Sequence, residues 1–113
     1  MKEFLLVFRT DYKTMAKGSP DEMQAMTKRW MDWIGGIAAQ NKLSNKGNRL
    51  TSEGRVVRAN KSVTDGPYME IKESVGGYSI IKVESYDEAV EFAKGCPILN
   101  VGGNVEIREV SNL

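Results

Sequence analysis

The chain has 113 residues, 41% of them hydrophobic and 27% charged, with 16 Lys and Arg set against 15 Asp and Glu. That length supports one compact domain and is too short for two. The charges are balanced and interspersed, which excludes the basic excess that phosphate-tracking nucleic-acid binders depend on.

The chain holds no histidine. A Ser-His-Asp or Cys-His nucleophile therefore cannot be built, nor a His-ligated haem or zinc site. Chemistry is left to carboxylates, Tyr, Lys, Arg, backbone amides or a bound cofactor, and no residue pattern specifies a cofactor or a metal. The single cysteine, Cys96, cannot form an intrachain disulfide, so the fold does not depend on an oxidising compartment. The apolar run Phe4 to Phe8 is too short for a signal-peptide core or a membrane span, and the expected location is the cytoplasm.

In chain order, residues 3–9 read as a strand rich in Phe, Leu and Val. A polar loop at 10–18 leads to Ser19-Pro20-Asp21-Glu22, which combines an N-cap, a first-turn proline and a capping-box glutamate. Met23, Met26, Trp30, Trp33, Ile34 and Ile37 then recur on one stripe, predicting a helix over about residues 20–41. Asn41, Asn45 and Gly47 mark its exit. Residues 48–63 read as an extended segment interrupted at Glu53-Gly54, and Thr64-Asp65-Gly66-Pro67 as a turn. Residues 68–75 suggest a short helical turn in a loop. Gly76-Gly77 punctuates again, before a strand at Tyr78 to Val83. Ser85-Tyr86-Asp87-Glu88 opens a short helix with Ala89, Val90, Phe92 and Ala93 on its apolar face, stopped by Gly95 and Pro97. The last strand is Asn104 to Val110.

The order β-α-β-β-α-β predicts an α+β, ferredoxin-like domain, with two helices on one face of a four-stranded antiparallel sheet. A sheet covered on one face should alternate apolar and polar residues. The first strand does not: Phe4, Leu6 and Phe8 point one way and Leu5 and Val7 the other. Ile80-Ile81 repeats the pattern. A second apolar face is costly in water, and packing against another copy across a two-fold axis would bury it. The sequence therefore predicts a homodimer through the sheet face, with no membrane or nucleic-acid partner. Loops or the C-terminal segment are the other available cover.

Val63-Thr64-Asp65-Gly66-Pro67-Tyr68 resembles the DGPF motif of the YCII-related family, with Tyr68 in place of Phe. Lys72-Glu73-Ser74-Val75-Gly76-Gly77-Tyr78 is similar to the family's Lys-Glu-x-Leu-Gly-Gly-Tyr segment. Gly103-Asn104-Val105-Glu106-Ile107-Arg108 resembles its Gly-x-Val-Glu-Val-Arg ending, and Ser19 to Met23 its helix start. The resemblance covers nearly the whole chain. It implies a dimeric α+β barrel, a superfamily of small monooxygenases, isomerases and binding proteins, so fold alone leaves function open. Some YCII-like proteins carry a His-Asp pair suggested to be catalytic. Where a histidine often stands near the end, this chain reads Asn100-Val101-Gly102-Gly103, and the pair cannot be complete. DGPF-type domains also accompany sigma-factor-like transcription proteins.

Asp65 is the candidate acid/base. Desolvated at a cleft mouth, its carboxyl can accept a proton; as a turn residue, it would simply cap backbone amides. Gly66, Pro67 and Gly77 are turn and loop formers, or places where backbone N–H groups approach an anion. Arg58, Lys72, Glu73, Tyr78 and Arg108 are candidates to line a pocket beside the dimer sheet, with an arginine clamping a carboxylate ligand. Tyr68 and Tyr78 can donate to a ligand carbonyl; each of these residues also has an ordinary surface or ion-pair role available. Trp30, Trp33, Met23 and Met26 read as core, and Cys96 as a small inert residue.

Three functions follow as expectations. The first is a small-molecule-binding protein, with the enzyme reading resting on Asp65. The second is a non-catalytic dimeric module that regulates or scaffolds, in a transcription-regulatory setting. The third, ranked last, is a cofactor-free oxygenase.

Overall fold

Both described α-helices begin where a serine can satisfy a free amide. In the computed structural model, which describes residues 1–10, 18–66 and 74–112, Ser19 Oγ accepts from the Glu22 amide at 3.1 Å and opens helix α1 (Pro20–Ala39). Ser85 Oγ accepts from the Glu88 amide at 3.2 Å and opens helix α2 (Tyr86–Ala93). Glu88 also turns back to accept from the Glu84 amide at 2.9 Å. Pro97, expected as a stop, instead starts a 3-10 helix (Pro97–Val101).

Strands β1 (Lys2–Thr10), β2 (Leu43–Arg49), β5 (Ser74–Val83) and β6 (Asn104–Glu109) form one sheet in the order β2-β5-β1-β6. Every neighbouring pair is antiparallel. This is the ferredoxin-like split βαβ arrangement, with each helix crossing over one intervening strand. The remaining two strands, β3 (Gly54–Val57) and β4 (Val63–Gly66), pair with each other as a separate hairpin inserted between β2 and β5.

Phe4, Leu6, Phe8, Ile81 and Val83 are buried under Ile37, Ala89 and Ala93 of the two helices, joined by Cys96 and Ile98. Trp30, Trp33 and Phe8 meet edge-on, with ring centroids 4.9 to 5.8 Å apart. Trp33 Nε1 donates to the Phe92 carbonyl at 2.9 Å, which ties α1 to α2. Lys42 ion-pairs with Glu88 and lies 5.6 Å from the centre of the Phe92 ring, fixing the entry of β2 to α2. Met23, at the start of the predicted stripe, remains 51% exposed.

Five local expectations are revised. The second sheet strand begins at Leu43, where a helix exit was predicted, because its asparagines and Gly47 build a bulge rather than a loop. Gly47 has φ +72°, its amide donates to Asn45 Oδ1 at 2.8 Å, and Ser79 Oγ donates to the Lys46 carbonyl at 2.6 Å. The segment expected to be extended over 48–63 contributes β3 and the start of β4, outside the main sheet. Thr64-Asp65-Gly66 is strand, and the reversal falls at 58–62 instead, where Lys61 takes φ +70° and Asn60 Oδ1 accepts from the Ser62 amide. Gly76-Gly77 lies inside β5: the Phe8–Arg9 step of β1 faces the register irregularity there, and a Cβ on Gly77 would stand 2.9 Å from the Asn48 carbonyl oxygen. Of the helical turn expected over 68–75, Ser74 and Val75 begin β5 instead, and 68–73 lie outside the described residues.

A Cβ on Gly47 would fall 1.7 Å from the Tyr78 carbonyl oxygen. Gly47→Ala should therefore destabilise the protein by roughly 2–4 kcal/mol, read by urea unfolding. A change within about 0.5 kcal/mol would mean that the bulge is not as described.

Candidate functional site

The strand register sorts the predicted residues into two places. Leu5 pairs with Ile80 and Arg108, Val7 with Tyr78 and Glu106, and Arg9 with Val75 and Asn104. These side chains share the sheet face opposite the helices, because cross-strand partners point the same way. Tyr78 and Arg108 thus lie together on this open face, over a half-buried apolar floor of Leu5, Val7 and Ile80.

Beside that floor Arg108 joins a charged pair, Arg9 and Glu106, that sequence reading did not single out. Arg9 grips one oxygen of Glu106, with Nε at 3.2 Å and Nη2 at 2.9 Å. Arg108 Nη1 stands 3.5 Å from the other oxygen of the same carboxylate. The Arg9 contact, reinforced by Arg108, holds the Glu106 carboxyl below its ordinary value. The signal was available: Arg9 and Glu106 occupy the non-core positions of the first and last strands, which this topology makes neighbours.

Asp65 lies elsewhere, on the hairpin. Its cross-strand partner is Arg55, whose Nε is 3.4 Å from Asp65 Oδ1, and the carboxyl-bearing side chain is 93% exposed. The described residues of a single chain do not desolvate it. Gly66 pairs with Gly54, where a Cβ would come 3.2 Å from the Gly54 carbonyl carbon. Arg58 closes the hairpin turn, its amide donating to the Ser62 carbonyl at 2.8 Å. The Leu50 amide donates to the Gly76 carbonyl at 2.9 Å, rooting the hairpin beside the end of β5 that carries Val75. Gly77 faces β2 inside the sheet. Pro67, Tyr68, Lys72 and Glu73 lie outside the described residues.

Two shallow depressions occur on the hairpin side, one lined by Val56 to Asn60 and one by Arg49 to Ser52. Neither includes Asp65, Tyr78 or Arg108. Among the described residues no three His, Cys, Asp or Glu side chains converge as a metal site, and no helix is long and apolar enough to cross a membrane. Cys96 is buried, and loss of hydration pushes its thiol up to about 12. Thr10, at the end of β1, buries a hydroxyl that has no hydrogen-bond partner among the described residues.

The topology and the one-sided helix cover define a small α+β protein of ferredoxin-like fold. The family model of the YCII-related domain matches residues 6–113, and the chain belongs to that family. No curated protein matches it. Among solved structures, it is similar to the 5-chloro-2-hydroxyhydroquinone dehydrochlorinase TftG from Burkholderia phenoliruptrix AC1100, in complex with 2,5-dihydroxybenzoquinone. That likeness has 17% identity and a TM-score of 0.43, over 96% of this chain and 93% of the other.

Two outcomes test this geometry. Because native Glu106 titrates below the ordinary carboxyl value of 4.5, its ion pair stabilises the fold fully above that value and progressively less as acid protonates it. Unfolding curves from about pH 3 to about pH 7, at fixed protein concentration, should separate wild type from Glu106→Gln at neutral pH and converge in acid. Curves that stay parallel throughout would contradict the assignment. Native Cys96 should resist alkylation at neutral pH and react only at the rate of unfolding; rapid labelling of folded protein would show that the thiol is accessible.

Proposed function

We propose that the protein works as a homodimer joined through the open sheet face, and that it binds a small organic molecule at the charged end of that face. The observation that carries this reading is the half-buried floor of Leu5, Val7, Tyr78 and Ile80, apolar side chains on the side the helices do not cover. A second copy would bury that floor and leave the group of Arg9, Glu106 and Arg108 at its margin. Arg108 is the ligand clamp in this account. Its contact to Glu106 is long at 3.5 Å, which leaves the guanidinium fork able to turn toward an anionic or carbonyl oxygen. Tyr78 supplies a hydroxyl from the adjoining strand pair.

The enzyme form of this proposal gives Asp65 the acid/base role. It requires a further surface over the hairpin, since the described residues of a single chain leave the carboxylate in water. That exposure, together with the missing histidine, favours a second reading: a dimeric module without catalysis that regulates or scaffolds another protein.

A native mass spectrum of freshly purified protein separates these readings. A dimer carrying removable mass supports the ligand-binding form and supplies the molecule to identify, after which Asp65→Asn should retain binding and lose turnover. A dimer with nothing bound supports the regulatory form. Val7→Glu should convert the dimer to a folded monomer. A monomeric wild type at micromolar concentration would contradict both readings.

A further inference from the structure

The hairpin has a face of its own. Arg55 and Val57 on β3 and Val63 and Asp65 on β4 alternate with Val56, Thr64 and the paired glycines, and all four of the first set are exposed. Val57 is 68% and Val63 61% exposed, and the two are cross-strand partners. Among the described residues, β3 and β4 pair only with each other. A two-stranded hairpin of this kind is marginally stable in water unless something packs on it.

We infer that this face is a second dimer contact, hairpin against hairpin, between two copies of this chain. The proposal rests on the homodimer reading above and adds to it the partner surface for the hairpin. The charge pattern selects a second copy as the occupant. Rotation by 180° about an axis along the hairpin lays β3 of one copy over β4 of the other. Val57 then meets the partner's Val63, and Arg55 meets the partner's Asp65, so the face is self-complementary in both shape of pattern and charge.

The hairpin is rooted beside β5, where the Leu50 amide donates to the Gly76 carbonyl at 2.9 Å, and it carries Val57 and Val63 exposed on one face. The same contact would cover Asp65, supplying the desolvation that its acid/base role requires.

The test uses the full chain and sedimentation equilibrium. Val57→Ser combined with Val63→Ser should weaken self-association at least about tenfold. Both positions are exposed, so the core is untouched. Arg55→Asp and Asp65→Arg should each weaken it as single variants, and an equal mixture of the two should form heterodimers well above the statistical share. Loss of the ion pair within one chain does not produce that preference. A valine variant with wild-type affinity, or a mixture that pairs statistically, overturns the hairpin contact while leaving the sheet contact standing if Val7→Glu still dissociates the dimer. A wild type that is monomeric overturns both.

Discussion

Phe4, Leu6 and Phe8 alternate along β1 with Leu5 and Val7, and a two-layer fold has room beneath its helices for only one of these rows. The first row forms the core. Every later feature of the molecule depends on how the second is accommodated. In a sheet covered by two helices, an apolar residue on the far face is only half-buried by the chain's own packing and stays partly in contact with water. β5 repeats the condition with Ile80 beside Ile81. β6 answers it differently, placing Glu106 and Arg108 on the far face and Val105 and Ile107 under the helices.

The helix side is fastened at specific points rather than by apolar contact alone. Trp33 donates to the Phe92 carbonyl, and Lys42 reaches Glu88 across the Phe92 ring. Together they lock the two crossover helices over the centre of the sheet. On the far side Arg9 grips Glu106, which joins the first and last strands. The molecule measures 44 × 44 × 18 Å, a slab with one finished surface and one unfinished surface.

Much of this was legible in the sequence, and the parts that were not share a cause. The capping serines, the tryptophan stripe and the doubly apolar first strand are local patterns, and each has its expected place in the structure. β2 was missed because Leu-Ser-Asn-Lys-Gly-Asn-Arg contains no β-branched or aromatic residue; its strand character comes from pairing with β5. The hairpin was misplaced because Asp-Gly-Pro is ordinarily a turn, whereas here Gly66 serves the close approach of Gly54 across the ladder. For the site, Tyr78 and Arg108 were chosen on residue type, yet their sharing a face is a matter of register. Arg9 and Glu106 are 97 residues apart and become neighbours only through the strand order.

The central claim is that the open sheet face is completed by a second copy of the chain. Small-angle X-ray scattering at micromolar concentration tests it most directly. The account predicts forward scattering for twice 12.6 kDa, that is 25.2 kDa, and a particle thicker than the 18 Å slab. Scattering from a 12.6 kDa particle with a radius of gyration near the 15.3 Å of the single chain would contradict it.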